Sequence, residues 1–212
     1  MEGLLRHPLA TMLIGFVLTG VVGTLLTNHF AELRQQEGRA IEQREVRRKA
    51  VLEVSQLFSE RLGRAEALSV AIEGHASKDV IARLKQLYDD AETRAVVVRQ
   101  EGLLLMREAM RESDFESLRS DIDTRLVRKR MRPLRECLEH AGARALAGAD
   151  GAAVLQACRS AQLIAESRAC SDIVADGLYD LASLPGADPA QTDAQAAQLR
   201  TKTRDRIGQA CP

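Results

Sequence analysis

Four cysteines could link distant parts of this 212-residue chain. They are Cys137, Cys158, Cys170 and Cys211, and they show no CxxC or Cys/His metal-ligand spacing. An even number of cysteines favours two disulfides formed in an oxidising compartment, and four buried thiols in a helical core are the alternative. Sequence alone allows three pairings. We favour Cys137 with Cys158 and Cys170 with Cys211. If the helices on either side of residues 142–151 are antiparallel, Cys137 and Cys158 lie at similar heights along the bundle.

The densest basic run of the chain could bind an anion, an acidic protein or a phospholipid headgroup. It contains Arg125, Arg128, Lys129, Arg130, Arg132 and Arg135. If three helices fold back and forth, the run reaches the height of a second basic group, Arg47, Arg48 and Lys49. Two like-charged groups at one level repel each other unless an anion or acidic partner lies beside them. The sequence therefore predicts a binding surface, with a solvated basic face neutralised by the chain's own carboxylates as the alternative.

Catalytic motifs are not found in this sequence. It contains no GxGxxG, P-loop, HExxH or GxSxG pattern. The histidines at positions 7, 29, 75 and 140 are spaced unlike any metal-ligand motif. Carboxylate pairs such as Asp89 with Asp90 are expected on solvated helices without a catalytic role. We therefore predict a protein that is not an enzyme and uses no cofactor or metal.

One apolar segment, Pro8–Thr27, has twenty residues and no charged side chain. Twenty helical residues at about 1.5 Å each span roughly 30 Å, the thickness of the hydrocarbon core of a bilayer. The segment is longer than the ~7–15 apolar residues of a signal peptide, and no A-x-A-like triplet follows it. We therefore predict an uncleaved transmembrane signal anchor that follows a short cytoplasmic N-terminus at residues 1–7.

Small residues recur every four positions along the predicted anchor. They are Thr11, Gly15, Thr19, Gly23 and Thr27. Such strips let membrane helices approach closely, because apolar burial alone gains little in lipid. We predict a helix-contact face that meets another membrane protein or a second copy of the chain. The alternative is that glycine and threonine are simply common in membrane helices.

The sequence gives two opposing indications of the side of the membrane on which the residues after the anchor lie. Lysines and arginines are more numerous after the anchor, from Arg34 onward, and a simple positive-inside count places the large domain in the cytoplasm. The four cysteines favour an oxidising compartment instead. We predict a single-pass protein of the bacterial inner membrane with the bulk of its chain in the periplasm.

Composition predicts the fold class. Thirty Lys plus Arg residues balance thirty Asp plus Glu residues with the two signs interspersed, which argues against a nucleic-acid partner. Aromatic residues make up 3% of the chain and there are five prolines, a balance typical of long helices with Leu/Ala/Val seams. We predict an all-α fold in which the transmembrane helix continues into an antiparallel multi-helix bundle with long helices.

Apolar spacing and helix breakers divide the remaining chain. A charged, coiled-coil-like helical stalk is predicted at residues 28–50 and the bundle at residues 51–212. The first helix continues without proline to a stop at Gly74, and Arg61 interrupts its apolar seam. A second helix runs from Ser77 to about Glu112.

A capping box at residues 113–116 begins a third helix, which Pro133 should kink or interrupt. We place a fourth helix at residues 152–184 and a more polar fifth helix at residues 190–209, with Leu199 and Ile207 as its apolar anchors.

This plan resembles two known classes of protein. A membrane helix that leads into a long antiparallel bundle is similar to the sensory domain of bacterial chemoreceptors, although this chain has neither a second membrane helix nor a signalling module. An N-terminal anchor, a charged helical ectodomain and a cysteine near the C-terminus, here Cys211, also resemble phage inner-membrane spanins, whose ectodomain is a simpler rod.

Two classes of function follow from this plan. The chain could be an accessory or scaffold subunit of a bacterial inner-membrane assembly. It could instead be a periplasmic sensor that binds a ligand and relays its occupancy to a partner's membrane helix. A spanin-like envelope protein is a further alternative.

Replacing Gly15 and Gly23 together by leucine should weaken association in the membrane, because the larger side chains keep the helix backbones apart. Crosslinking of the full-length chain in native membranes measures this association. Association equal to that of the unchanged chain would remove the predicted contact face.

Overall fold

The computed structural model describes residues 8–107, 112–183 and 189–211. For most residues before position 29, and for some near positions 106, 113 and 190, it describes the backbone alone. The described part is helical and contains no strand, which confirms the all-α prediction. The chain forms two compact units, of which the first ends at Gln43 and the second begins at Arg44.

Seven α-helices and one π-helical segment make up the described residues. The α-helices are α1 (Pro8–Glu73), α2 (Lys78–Arg107), α3 (Glu112–Asp121), α4 (Arg132–Leu146), α5 (Ala152–Cys158), α6 (Ser160–Ala182) and α7 (Pro189–Ala210). Residues Ile122–Met131, between α3 and α4, form the π-helical segment. The predicted first and fifth helices are therefore confirmed to within a few residues, whereas the fourth is divided in two.

The first unit contains α1 up to Gln43, and its helix includes the predicted span Pro8–Thr27. Among the side chains that the structure describes, no helix has a stretch both long enough and apolar enough to cross a bilayer. The predicted contact-face residues Thr11, Gly15, Thr19 and Gly23 lie outside the described side chains, and Thr27 is exposed. The transmembrane helix therefore stays a prediction.

In the second unit, α1 and α2 pack in opposite directions. Glu60 of α1 forms an ion pair with Arg94 of α2 at 2.8 Å. Earlier in α1, Val54 lies against Gly102, which is later in α2, so the two helices are antiparallel. A Cβ at position 102 would come within 2.7 Å of the Val54 side chain, which explains why glycine is required there.

The helix α6 is antiparallel to both α1 and α7. Its Arg168 pairs with Glu66 of α1 at 2.9 Å. Its Asp176 pairs with Arg206 of α7 at 3.4 Å, and its Gly177 lies against Thr203. The second unit is thus an up-and-down bundle of α1, α2, the continuous α3–π–α4 rod and α6, with α7 packed on α6 and α3.

The predicted seam of α1 forms the centre of the core. Its buried members at helical spacing are Val51, Phe58, Leu62, Ala65, Leu68 and Ile72. Residues facing it from the other helices include Tyr88, Leu126, Leu138 and Ile207. Burial of each such side chain contributes roughly 1.5–3 kcal/mol, so this seam accounts for a large part of the favourable folding energy.

The left-handed residue that terminates the first helix lies one position after its glycine. The residue with left-handed backbone geometry is His75, with φ of 51°, and not Gly74. The amide of His75 donates to the carbonyl of Ile72, and that of Ala76 donates to Ala71, as in a Schellman motif. A histidine here accepts the strain because the motif satisfies the last carbonyls of the helix.

Pro133 does not break the third helix. The wider π-helical turn ends at Met131, and the last i→i+5 bond joins the amide of Arg132 to the carbonyl of Val127. Proline has no amide hydrogen and its ring would clash with the carbonyl four residues earlier in an α-helix. A wider turn before Pro133 relieves this clash, so the rod continues into α4.

The predicted fourth helix is interrupted at Arg159, whose φ of 56° is left-handed. It separates α5 from α6, and the sequence shows no glycine or proline there to signal a break. Cys158, next to the break, is bonded to Cys137 of α4. The short α5 therefore packs on α4 as a covalently tied turn and does not extend α6.

Both disulfides have the pairing that we favoured. Cys137 is bonded to Cys158 and Cys170 to Cys211, with Cα atoms 6.1 Å and 5.3 Å apart. The second bond attaches the end of α7 to the middle of α6. Each such bridge contributes typically about 2–4 kcal/mol, which compensates for the few apolar anchors of α7.

Replacing Gly177 by alanine should destabilise the bundle by about 1–3 kcal/mol, the usual effect of overpacking. Its Cβ would overlap the methyl group of Thr203 and lie 2.9 Å from the hydroxyl oxygen. Urea unfolding followed by circular dichroism measures the change.

Gly63→Ala is the matched control, because nothing lies within 4 Å of a Cβ at that exposed helical position. It should be neutral or stabilising by up to about 1 kcal/mol. Thr203→Ala should recover part of the loss in a Gly177→Ala background. Equal stability of the two glycine variants would contradict the described α6–α7 packing.

Candidate functional site

The predicted basic run lies on the π-helical segment and, at Arg132 and Arg135, on the start of α4, and the wide turn separates its members. The buried residues of the segment are Ile122, Leu126 and Met131, at spacings of four and five. These spacings exceed the 3.6-residue turn of an α-helix and match i→i+5 bonding. The basic residues between them therefore project to three different sides of the rod.

Arg125 and Arg130 face α7 and α6. Arg125 donates from Nη1 to the carbonyls of Gly208 (3.5 Å) and Cys211 (3.3 Å), at the end of α7. A cation there complements the negative end of the helix dipole. Arg130 forms an ion pair with Glu166 of α6 at 2.5 Å. Both arginines thus hold helices together.

Arg128 and Lys129 project outward and are exposed. Within the described residues, neither has an ion-pair partner. Arg132 lies on a third side, toward α2, and pairs with Glu136 at 2.9 Å.

The second basic group is not at the height of this run. Met131 lies level with Arg61, since its carbonyl accepts a hydrogen bond from that guanidinium at 3.3 Å. Arg48 packs on α6, where its guanidinium donates to the Tyr179 hydroxyl and lies 4.8 Å from the ring centroid. That hydrogen bond raises the pKa of Arg48. Lys49 is exposed, and the structure does not bring the two groups into one patch.

A different set of arginines surrounds a groove of about 220 Å³ between α1, α2 and the end of the π-helical segment. The charged residues that line it are Arg61, Arg99, Arg132, Arg135 and Glu92. Of these, Arg132 and Arg135 belong to the predicted basic run. We call this the arginine groove.

Arg61 is the most buried of these charged residues, with 5% of its surface exposed. Its Nη2 donates to Glu92 Oε1 and to the Met131 carbonyl, both at 3.3 Å. Arg135 Nη1 reaches the same Glu92 oxygen at 3.3 Å. One carboxylate oxygen therefore serves two guanidinium groups. The Arg61 Nε is buried and has no hydrogen-bond partner among the described residues.

Tyr88 is buried beside this network. It is 1% exposed, and burial raises the pKa of its hydroxyl, although nearby Arg61 acts in the opposite direction. The phenol is therefore neutral at physiological pH, and it leaves the positive charge of Arg61 to Glu92 alone.

Arg99 also lines a second groove, of about 290 Å³, between α2 and α3. Arg99 forms an ion pair with Asp123 at 3.2 Å, and Arg119 lies 4.0 Å from the same carboxylate. Arg107 also lines this groove. Arginines thus outnumber carboxylates along both grooves.

Metal chemistry has no candidate in the described part of the chain. No group of three or more histidine, cysteine, aspartate or glutamate side chains could hold a metal ion there. The four cysteines are all in disulfides.

Comparisons with protein families, with curated proteins and with solved structures each find no match to this chain.

The signal for the arginine groove was present in the sequence as Arg61, a single charged residue in an otherwise apolar seam. A buried guanidinium requires a carboxylate, so Arg61 predicts an acidic partner on a facing helix. Nothing in the sequence distinguishes Glu92 from the other acidic residues of α2. Its pairing with Arg61 depends on the register between α1 and α2.

Replacing Glu92 by glutamine should destabilise the protein by about 3 kcal/mol, because it leaves the buried Arg61 charge without its carboxylate. Glu139→Gln is the matched control, since Glu139 also pairs with Arg135, at 3.6 Å, but is 53% exposed. We expect about 0–1 kcal/mol there. Chemical unfolding measures both.

Adding Arg61→Met to the Glu92→Gln variant should restore most of the lost stability, because the uncompensated charge is then removed. Equal effects of the two glutamine substitutions would contradict the buried ion pair.

Proposed function

We propose that this chain is a non-enzymatic, single-pass, membrane-anchored helical-bundle protein that acts as an accessory or scaffold subunit of a bacterial inner-membrane assembly. The observation that carries the proposal is the pairing of all four cysteines in two intrachain disulfides. Structural disulfides persist outside the cytoplasm. Together with the uncharged segment Pro8–Thr27, they favour a bundle held at the periplasmic face of the membrane.

The small-residue strip supports the proposal of a partner within the membrane. Five small residues at four-residue intervals suit close contact with another membrane helix. The partner is then another membrane protein or a second copy of this chain. The bundle, which the two disulfides stabilise, is then the rigid periplasmic part of this subunit.

A second candidate function is a periplasmic sensor module, and the arginine groove favours it. Four guanidinium groups beside one carboxylate, in a groove of about 220 Å³, are an arrangement that suits recognition of a small anion. The spanin-like alternative is less well supported, because Cys211 pairs within the chain and the second unit is a layered bundle.

Fractionation combined with thiol labelling tests the main proposal. The chain should remain in the membrane fraction after carbonate washing. In denaturant, a maleimide reagent should label no cysteine before reduction and all four after it. Cys170→Ser should expose one thiol, that of Cys211, and Cys137→Ser should expose that of Cys158.

Recovery of the chain in the soluble fraction with four free thiols would contradict the proposal. Purification from native membranes then distinguishes the two candidate functions. A stoichiometric complex with another membrane protein supports the scaffold, whereas a free dimer whose stability depends on a ligand supports the sensor.

A further inference from the structure

We propose that the arginine groove binds a small organic acid, whose carboxylate meets Arg61 and Arg135 and whose carbon chain lies on the apolar wall beside them. The proposal rests on the sensor function and identifies the class of ligand. It does not depend on membrane attachment or on a scaffold partner.

The first step of the argument is the number of hydrogen-bond donors. Arg61 and Arg135 both direct a nitrogen to a single oxygen of Glu92, and each distance is 3.3 Å. The Arg61 Nε is buried without a partner among the described residues. A buried donor left unsatisfied costs about 1–3 kcal/mol. Four guanidinium groups line the groove beside a single carboxylate, so the lining offers more donors than Glu92 can accept.

The second step concerns charge. The outer arginines of the groove each have a carboxylate outside it: Arg99 pairs with Asp123 and Arg132 with Glu136. Arg135 likewise has Glu139 outside the groove, at 3.6 Å, whereas Arg61 pairs with Glu92 inside it. Three of the four carboxylates therefore lie outside the lining, which leaves the groove itself locally positive and favourable for an anion.

The third step concerns shape and polarity. The rest of the lining is largely apolar and includes Phe58, Val96 and Val127. A volume of about 220 Å³ is smaller than that of sites for drug-sized molecules. Inorganic phosphate would leave the apolar wall uncovered. A short carbon chain with one or two carboxylates covers the wall and satisfies the planar guanidinium donors.

Isothermal titration calorimetry on the full-length chain in detergent tests the proposal, with succinate, butyrate and inorganic phosphate as probes. We expect saturable binding of at least one of the two carboxylates and weaker binding of phosphate. Arg135→Gln, at a side chain that is 41% exposed, should weaken carboxylate binding roughly ten-fold or more. Arg61→Met should weaken it at least as much.

Arg94→Gln is the matched control, because Arg94 forms an exposed ion pair with Glu60 outside the groove. Its binding should equal that of the unchanged chain. Glu92→Gln provides a second readout if Arg61→Met does not fold. Without the competing carboxylate, the bound acid should raise the melting temperature of this variant more than that of the unchanged chain.

Three results would overturn the proposal. They are no binding of either carboxylate by folded protein at millimolar concentration, binding of phosphate as tight as that of the carboxylates, and binding that Arg135→Gln leaves unchanged. Failure of the membrane fractionation would leave these results untouched, so the two proposals can fail separately.

Discussion

The burial of one apolar seam on α1, between Val51 and Ile72, is the constraint on which the second unit depends. The helix α2 contacts α1 beside this seam at Val54, and α6 pairs with α1 at Glu66. The end of the π-helical segment meets the seam at Arg61. Arg61 lies in the middle of the seam, so packing the seam also places a charge in the core. The register of α1 against its neighbours is then determined by two requirements together, apolar contact and neutralisation of one guanidinium.

Features that depend on local spacing could be predicted from the sequence. The seam of α1 follows from apolar residues three and four positions apart, and the uninterrupted helix to Glu73 follows from the absence of proline. The anchors of α7, Leu199 and Ile207, pack against the core as expected, and Ile207 is fully buried. The disulfide pairing could be favoured because antiparallel neighbours bring cysteines on either side of a turn to the same level.

Features that depend on contacts between helices could not be predicted. An α-helical count along the basic run does not show that a wider turn before Pro133 separates Arg125, Arg128 and Arg132. The left-handed Arg159 has no local signature, since nothing nearby in the sequence forbids an α-helix there. The pairing of Arg61 with Glu92 joins residues thirty-one positions apart, and it exists only in one register of α1 against α2.

The two disulfides differ in how far solvent can reach them. Cys170 and Cys211 are both fully buried, whereas Cys158 is partly exposed and lies with Cys137 along an open surface groove. Thiol exchange requires access of the attacking thiolate to sulfur. A mild reductant would therefore reduce the Cys137–Cys158 disulfide between α4 and α5 first. The product has two free thiols and keeps the Cys170–Cys211 disulfide between α6 and the end of α7. Under reducing conditions the attachment of α5 to α4 would thus be lost before the attachment of α7 to α6.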